Sequence, residues 1–368
     1  MSTKPEKFST PALVSRRPAV GVRSSARARR ALRVAAAIAL AVVAATVAGC
    51  GGTATAAGGS APGGEVSEIR YQGSVGQVTF PELAQALGYL PGLRLMWVGN
   101  TISGPQDIQS VATGAIDIGG AFDGAIVKLV AAGSPIKAVV GYYGADEQSY
   151  IGYYVLDGSP IRSARDLVGK KVGMNTLGAH AEAVLDEYLA RGGLSHDEIK
   201  QVIPTVVPPV NTEQALRAHQ IDVAVLSGVI RDKAVAHGGL RRLTSDVDLL
   251  GPFTAGSLVL RKDFIARNPH TTAALVGGIA RAVQWSQTQP RDVVVAKFEQ
   301  IIRARGRAED TSLVDLWKSS GVAGKGGLIA DAEFATWIRW LKANGQLGKD
   351  VAPAEVYTNA YNPFAGKP

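Results

Sequence analysis

From residue 65 onward, short apolar runs alternate with helix-like stretches, and this alternation constrains the fold more than any other feature of the chain. Such alternation is typical of α/β proteins with largely parallel sheets. In a first series, the sequence predicts strands at 66–72, 93–98, 115–119 and 136–142, with helices at 80–87, from 103–105 to 114, and from 123 to 132. In a second series, it predicts strands at 171–175, 202–206 and 222–226, with helices at 179–191, 212–218 and 229–237.

Two continuous β-prone runs, at 150–156 and 255–260, flank the second series, and only helices follow the second run. These helices are predicted from 268–269 to 287, from 290 to about 305, and at 332–343. The order predicts two βα lobes joined by two hinge strands, with the second lobe inserted within the first. The expected boundaries are 65–154 for the first part of lobe 1, 155–256 for lobe 2, and 257–368 for the mostly helical remainder of lobe 1. Such lobes can hinge and close on a ligand.

The first 49 residues have the layout of a secretory signal peptide. They hold nine of the 39 basic residues and one of the 31 acidic ones, so the rest of the chain carries 30 of each and no net charge. The net charge of +8 therefore belongs to this leader and does not indicate a nucleic-acid partner. The apolar run at 34–48 falls short of the roughly 20 residues that span a bilayer.

The only cysteine of the chain, Cys50, follows this apolar run after one residue, Gly49. Small residues before a cysteine at that point resemble a bacterial lipoprotein signal, which implies cleavage before Cys50 and lipidation of its sulfur. A buried or incidental cysteine is the alternative. The Gly-rich stretch at 50–64 then predicts a flexible tether. We expect an exported protein, lipid-anchored to the outer face of a bacterial cell membrane, by a general or a twin-arginine export route.

Five segments, in order along the chain, resemble one family. They are 69–74 (IRYQGS), 114–119 (GAIDIG), 133–136 (GSPI), 159–172 (SPIRSARDLVGKKV), and 268–269 (NP) with 282–285 (AVQW). Together they resemble the solute-binding lipoproteins of ABC importers, in the nitrate/sulfonate/taurine branch. The resemblance covers about 65–364. It implies a type II periplasmic-binding-protein fold with a ligand in the cleft between the lobes.

The resemblance places ligand contacts on loops at strand ends, near helix starts. These positions are Gln72, Ser74, Gly104, Phe122, Asp123, Thr176, Ala179, His180, Ser227 and Gly228. Unpaired N–H groups at helix starts suit an oxyanion, and α/β sheets bind ligands at the carboxyl ends of their strands. Gln72 is the first choice among them. Ser74, Thr176 and Asp123 could instead be helix N-caps, Phe122 could be core, and His180 a surface or capping residue.

The resemblance implies a monomer that delivers a small sulfonate, taurine or nitrate to a permease and an ATPase on separate chains, with no cofactor, no metal and no nucleic acid. The acids Asp123, Asp146 and Glu147 near the expected cleft leave room for a zwitterion or a heterocycle, and Arg231 is the nearest cation. A ligand-sensing lipoprotein is an alternative function. An enzyme on this scaffold is less favoured, because the one thiol lies outside the fold and no G-x-S-x-G or phosphate-binding loop motif occurs.

Overall fold

The computed structural model of the chain describes residues 64–366. The predicted signal peptide, Cys50 and nearly all of the tether lie outside the described residues. All described residues fall within a single unit of the chain, with bounds Ala57–Pro368, and every described core cluster draws on residues within it. A fragment that spans this unit therefore contains each described core in full.

Ten strands are described: β1 (Glu68–Gly73), β2 (Arg94–Asn100), β3 (Ile118–Phe122), β4 (Ile136–Ala145), β5 (Ile151–Leu156), β6 (Lys171–Met174), β7 (Ile203–Val206), β8 (Val223–Ser227), β9 (Leu240–Ser245) and β10 (Phe253–Arg261). The α-helices of the described part are α1 (Phe80–Ala86), α2 (Gly104–Ala112), α3 (Asp123–Ala131), α4 (His180–Arg191), α5 (His196–Ile199), α6 (Pro209–Arg217), α7 (Gly228–Ala236), α8 (Asp246–Leu250), α9 (Lys262–Arg267), α10 (Pro269–Thr288), α11 (Arg291–Ala304), α12 (Asp331–Ala343) and α13 (Pro353–Val356). None of these helices is both long and apolar enough to cross a bilayer.

The strands form two five-stranded sheets of matching topology, in the orders β2-β1-β3-β10-β4 and β7-β6-β8-β5-β9. In each sheet, one strand from the long β-prone runs, β10 or β5, pairs antiparallel with both of its neighbours. The remaining pairs are parallel. The chain thus builds most of one sheet, crosses to build the whole of the other, and returns, which confirms the predicted α/β class and the inserted second lobe.

The sheet pairing locates the two crossings more closely than the sequence does. The first lies at 146–150, between β4 and β5, and the second at 251–252, between α8 and β10. Each long strand therefore belongs wholly to one sheet, whereas the expected boundaries at 154/155 and 256/257 would divide both strands. The sequence pattern also did not predict β9 and α8, or the short helices α5, α9 and α13. For β9 the reason is that LRRLTS at 240–245 contains two arginines and no apolar run.

The helices after β10 complete the core of lobe 1. Helix α10 carries buried residues along its length, among them Leu275, Ile279 and Val283, and packs against α1. Helix α12 packs against α3 of lobe 1 and also contacts α4 of lobe 2. Its Trp337 belongs to a core cluster that includes Phe122 of lobe 1 and Leu185 of lobe 2. Apolar packing is therefore continuous between the lobes on this side.

Candidate functional site

Five helices begin around one cavity, at the carboxyl ends of the strands that precede them. They are α2 and α3 of lobe 1 and α4, α6 and α7 of lobe 2. None of the five has a side-chain hydrogen bond at its N-cap, whereas α1, α5 and α8 are capped by Thr79, Ser195 and Ser245. Backbone N–H groups at the start of a helix have no partner within the helix. The five starts therefore direct partial positive charge towards the cavity.

The cavity has a volume of about 260 Å³ and lies between the two lobes. Lobe 1 lines it with Gly104, Pro105, Ala121, Phe122, Tyr142 and Tyr143. Lobe 2 lines it with Ile151, Asn175, Thr176, Ala179, His180, Ala181, Pro209, Thr212, Val225, Leu226, Ser227 and Ile230. No lysine, arginine, aspartate or glutamate is among these residues. Its volume is slightly below the range of about 300–1,000 Å³ typical of ligand pockets, so it suits a small ligand.

Six of the ten residues expected to bind ligand line this cavity. They are Gly104, Phe122, Thr176, Ala179, His180 and Ser227. Thr176 lies four residues before α4, whose N-cap is Ala179, so Thr176 does not cap that helix. Phe122 is both core and cavity wall: it is buried, and its ring packs edge-on against Trp337 with 4.7 Å between ring centroids. Gln72, Ser74, Asp123 and Gly228 do not line the cavity.

The end of β1 that carries Gln72 and Ser74 is covered by a segment from much later in the chain. Arg305, just after α11, donates to the carbonyl oxygens of Ser74 and Gln77, and Glu309 accepts from the N–H of Gly76 at 2.6 Å. Ser74 does not cap α1, because Thr79 occupies that position. Gln72, the residue that we most expected to bind ligand, therefore lies near a strand end that Arg305 and Glu309 cover.

Asp123 is the first residue of α3, after the N-cap Phe122, and its side chain is completely buried. Desolvation raises the pKa of this carboxyl well above its ordinary value, and Glu333 adds to the effect. Burial therefore favours the neutral form of Asp123, which lies behind the cavity wall. Asp146 and Glu147 lie in a different groove, so none of the three acids expected near the cleft lines the cavity.

Arg231, the cation that the sequence places nearest to the expected cleft, is buried, and its guanidinium makes its hydrogen bonds to other groups of the protein. Its guanidinium donates to Asp232 and to the carbonyl oxygens of Gln148 and Tyr150. It also lies over the Tyr150 ring, 3.9 Å from the ring centroid. These contacts hold the first crossing against α7 and leave the cavity without a guanidinium.

Two wall residues that the sequence analysis missed are Tyr142 and Tyr143, near the end of β4. Desolvation raises the pKa of both hydroxyls, so both remain protonated and can form hydrogen bonds as neutral groups. Glycines make room for them: a Cβ on Gly120 would lie 2.7 Å from Tyr142 Cε1, and one on Gly256 would overlap the Tyr143 ring. The signal in the sequence was a tyrosine pair flanked by glycines (GYYG) at the carboxyl end of a strand.

His180 is buried in the cavity wall at the first position of α4, so it is not a surface residue. Its imidazole stacks on Phe122 with 5.3 Å between centroids and 8° between planes. Its Nε2 lies 3.3 Å from Oδ2 of Asp246, a residue of the missed helix α8. The described residues hold no cluster of three His, Cys, Asp or Glu side chains that could bind a metal ion.

A second and more open groove, of about 690 Å³, lies beside the first crossing. Asp146, Glu147, Arg291, Trp317 and Lys318 are among its lining residues. It is larger than the cavity, but no α-helix begins in it except α11. We therefore regard the cavity between the lobes as the candidate site.

The fold is that of known periplasmic binding proteins. The alkanesulfonate-binding protein SsuA from Xanthomonas axonopodis pv. citri, solved with MOPS bound, is 21% identical with a TM-score of 0.61, over 80% of this chain and 99% of that one. The nitrate-binding protein NrtA from Synechocystis PCC 6803 is 15% identical with a TM-score of 0.62, over 81% and 87% of the two chains. The desulfurization enzyme DSZB is 15% identical with a TM-score of 0.53, over 80% and 97%.

At the level of sequence, no curated protein matches the chain. The family model described as NMT1/THI5 like matches residues 83–293, which is more than half of the chain. This stretch runs from α1 to α11 and includes every residue that lines the cavity. The chain therefore belongs to the NMT1/THI5-like family and has the two-lobed fold of the periplasmic solute-binding proteins.

Proposed function

We propose that this chain is an extracytoplasmic solute-binding lipoprotein that captures a small sulfonate-, taurine- or nitrate-type ligand between its lobes and delivers it to the permease of an ABC importer. The observation that carries the proposal is the convergence of five helix starts without side-chain caps on one cavity between two hinged lobes. Backbone N–H groups at helix starts bind oxyanions without a cationic side chain.

The wall chemistry favours an organic sulfonate within this group of ligands. Sulfonate oxygens would accept hydrogen bonds from helix starts and from the hydroxyls of Thr176 and Ser227, while the rings of Phe122 and Tyr143 would pack on the carbon portion. Nitrate has no carbon portion to fill this space. The ammonium group of taurine would lack a lining carboxylate, since Asp123 is buried behind the wall.

The proposed anchor rests on the sequence of the leader. A lipid on Cys50 and a Gly-rich tether up to residue 64 would hold the compact unit near the membrane while leaving it free to reorient. Mass spectrometry of the membrane-extracted protein tests this part: a diacylated N-terminal peptide beginning at Cys50 supports it, and an unmodified Cys50 contradicts it.

A thermal-shift screen of the fragment Ala57–Pro368 tests the binding function. The panel consists of alkanesulfonates, taurine, nitrate, pyrimidines and amino acids, in buffers that contain no sulfonate. A ligand at 100 times its dissociation constant should add about 2.7 kcal/mol to the free energy of unfolding. An organic sulfonate should give the largest shift; a pyrimidine or amino acid in that place would contradict the ligand class, and no shift from any compound would contradict the function.

The likeness to DSZB makes turnover worth measuring directly. The ligand that binds best is incubated with the fragment overnight and recovered, and its mass is compared with that of the starting compound. A binding protein returns it unchanged, as we expect for a fold region without cysteine. Conversion to product would favour an enzyme. Delivery rather than sensing is tested by ligand uptake in cells that lack the protein.

A further inference from the structure

His180 lines the cavity, and neither nitrogen of its imidazole has a hydrogen-bond partner among the described residues. Its side chain is 6% exposed. Four aromatic residues surround the imidazole: Phe122 and Tyr143 of lobe 1, Phe253 of β10 and Trp337 of α12, with centroid separations of 5.3–6.2 Å. A buried polar nitrogen without a partner is costly, and a ligand oxygen that reaches it would offset this cost.

On the other side of the imidazole lies Asp246, whose side chain is completely buried. Its Oδ1 accepts hydrogen bonds from the N–H groups of Ile151 at 3.1 Å and Val247 at 2.8 Å. Ile151 begins β5 directly after the first crossing, and Asp246 begins the helix that leads to the second. The carboxylate is therefore fixed by backbone groups through Oδ1. Its Oδ2 lies 3.3 Å from His180 Nε2, which is within ion-pair distance but does not meet hydrogen-bond geometry.

None of the described residues that line the cavity is a lysine or an arginine, so His180 is the one among them that can carry a positive charge near neutral pH. The acids and phenols on the elements around it are Tyr143 of β4, Tyr153 of β5, Asp123 of α3, Glu333 of α12, and Glu182 and Asp186 of α4 itself. Basic residues on these elements make contacts elsewhere: Lys128 with Gln346, Lys137 with the carbonyl oxygen of Ala354, Arg191 with Glu187, and Lys342 with Asp350. Burial raises the pKa of Tyr143, Tyr153, Asp123 and Glu333, which favours their neutral forms.

We propose that His180 and Asp246 form a pair that recognises an anionic group of the ligand. Asp246 is the positioning residue: it orients the imidazole through Nε2 and balances its charge. His180 then donates a hydrogen bond from Nδ1 to a ligand oxyanion in the cavity. This inference rests on the proposed function and assigns the bound group a negative charge.

The position of His180 couples proton uptake to ligand binding. A positive charge in the first turn of a 12-residue helix is unfavourable, because the helix start is itself positive. An anion in the cavity offsets that cost, so the imidazolium and the anion stabilise each other. Linkage of one proton makes the dissociation constant rise by at most about tenfold per pH unit once the pH exceeds the titration midpoint.

The experiment measures dissociation constants by calorimetry for ethanesulfonate, taurine and nitrate at pH 6, 7 and 8, in Bis-Tris and Tris buffers. The fragment Ala57–Pro368 is compared with its Asp246→Asn and His180→Gln variants. Asparagine retains an oxygen for the N–H groups of Ile151 and Val247 but has no charge. The exposed pair His237 and Glu213, with Nδ1 and Oε1 2.8 Å apart, supplies the matched control, His237→Gln.

For the wild-type fragment and the His237→Gln control, we expect binding about tenfold or more tighter at pH 6 than at pH 8. For Asp246→Asn and His180→Gln, we expect weaker binding at pH 6 than in the wild-type fragment. The dissociation constant at pH 8 should exceed that at pH 6 by less than about threefold, and the tryptophan fluorescence of the folded state should be retained. An unchanged ratio in both variants, or wild-type affinity that is flat or rises with pH, would overturn the pair but leave the binding function standing. No binding of any probe at any pH would overturn both.

Discussion

The two lobes form different walls of the same cavity. Lobe 1 contributes the rings of Phe122, Tyr142 and Tyr143 and two helix starts, whereas lobe 2 contributes Asn175, Thr176, Ser227, His180 and three helix starts. The lobe 1 wall is largely aromatic, and the lobe 2 wall adds hydroxyl, amide and imidazole groups among its apolar residues. The difference indicates that lobe 1 contacts the carbon portion of the ligand and that lobe 2 hydrogen-bonds its polar group. Only a ligand that makes both kinds of contact would favour the closed arrangement of the lobes.

The largest expected effect is on the support of the lobe 1 wall. In Gly256→Ala, the new Cβ would overlap the Tyr143 ring and lie 2.5 Å from the carbonyl oxygen of Ala121, which as backbone cannot move aside. We expect a loss of about 3 kcal/mol in the free energy of unfolding, measured by urea denaturation, together with loss of ligand binding. Gly158→Ala is the control, since nothing lies within 4 Å of its added Cβ. Equal stability of the two variants would refute the close packing.

The next effect concerns a buried acid beneath the same wall. Asp107 of α2 accepts from the N–H of Gly120 at 2.7 Å, and burial raises its pKa to about 7. The folded state therefore holds this proton at pH values where the unfolded state has released it, and the stability it contributes is lost as the pH rises from about 4 through 7.

Asp107→Asn keeps an acceptor for Gly120 and removes the titration. Between pH 5 and pH 7, the free energy of unfolding of the wild-type fragment should fall by about 2 kcal/mol relative to the variant. Urea denaturation at the two pH values measures this difference. Parallel pH dependence in the two proteins would show that Asp107 is already ionised in the folded state at pH 5.

Tyr143 tests the role of the rings directly. Tyr143→Ala should weaken binding of the ligand with the largest thermal shift by about 10- to 30-fold, because the carbon portion of the ligand loses a flat partner. Tyr143→Phe keeps the ring and should change the dissociation constant by less than about threefold. Calorimetry measures both. If Phe costs as much as Ala, the hydroxyl rather than the ring makes the contact, and the division between the walls is wrong.

The smallest expected effect is on the polar wall of lobe 2. Thr176→Val preserves the shape of the side chain and removes one hydroxyl among several donors, so binding of the same ligand should weaken by about fivefold, equivalent to roughly 1 kcal/mol. Nitrate, which would rely on polar contacts alone, should lose at least as much as an organic sulfonate. A larger loss for the sulfonate would contradict the assignment of polarity to lobe 2.

The fold was predictable from the sequence to a large extent, because alternation of short apolar runs and helical stretches is a local signal. The exceptions include the short helices α5, α9 and α13, and also β9 and α8. Two arginines interrupt the apolar pattern of β9, and the omission of the adjoining α8 hid Asp246. The antiparallel pairing of β5 and β10 was also hidden, since strand direction depends on partners distant in sequence.

The candidate site was predictable where a residue lies at a strand end that remains open, as for Thr176 and Ser227. It was not predictable at the end of β1, because Arg305 and Glu309, more than 200 residues later, cover that end. Tyr142 and Tyr143 were missed because β4 was interpreted only as a core strand. Long-range packing, rather than local preference, decides which strand ends are available to a ligand.

A crystal structure of the fragment Ala57–Pro368 with the ligand that gives the largest thermal shift is the most direct test that both walls hold one solute. We predict a single molecule in the cavity, with its charged group within hydrogen-bond distance of His180 Nδ1 or the adjacent helix starts and its carbon portion against Tyr143. A ligand in the groove beside Arg291 and Trp317, or one that touches a single lobe, would contradict the account.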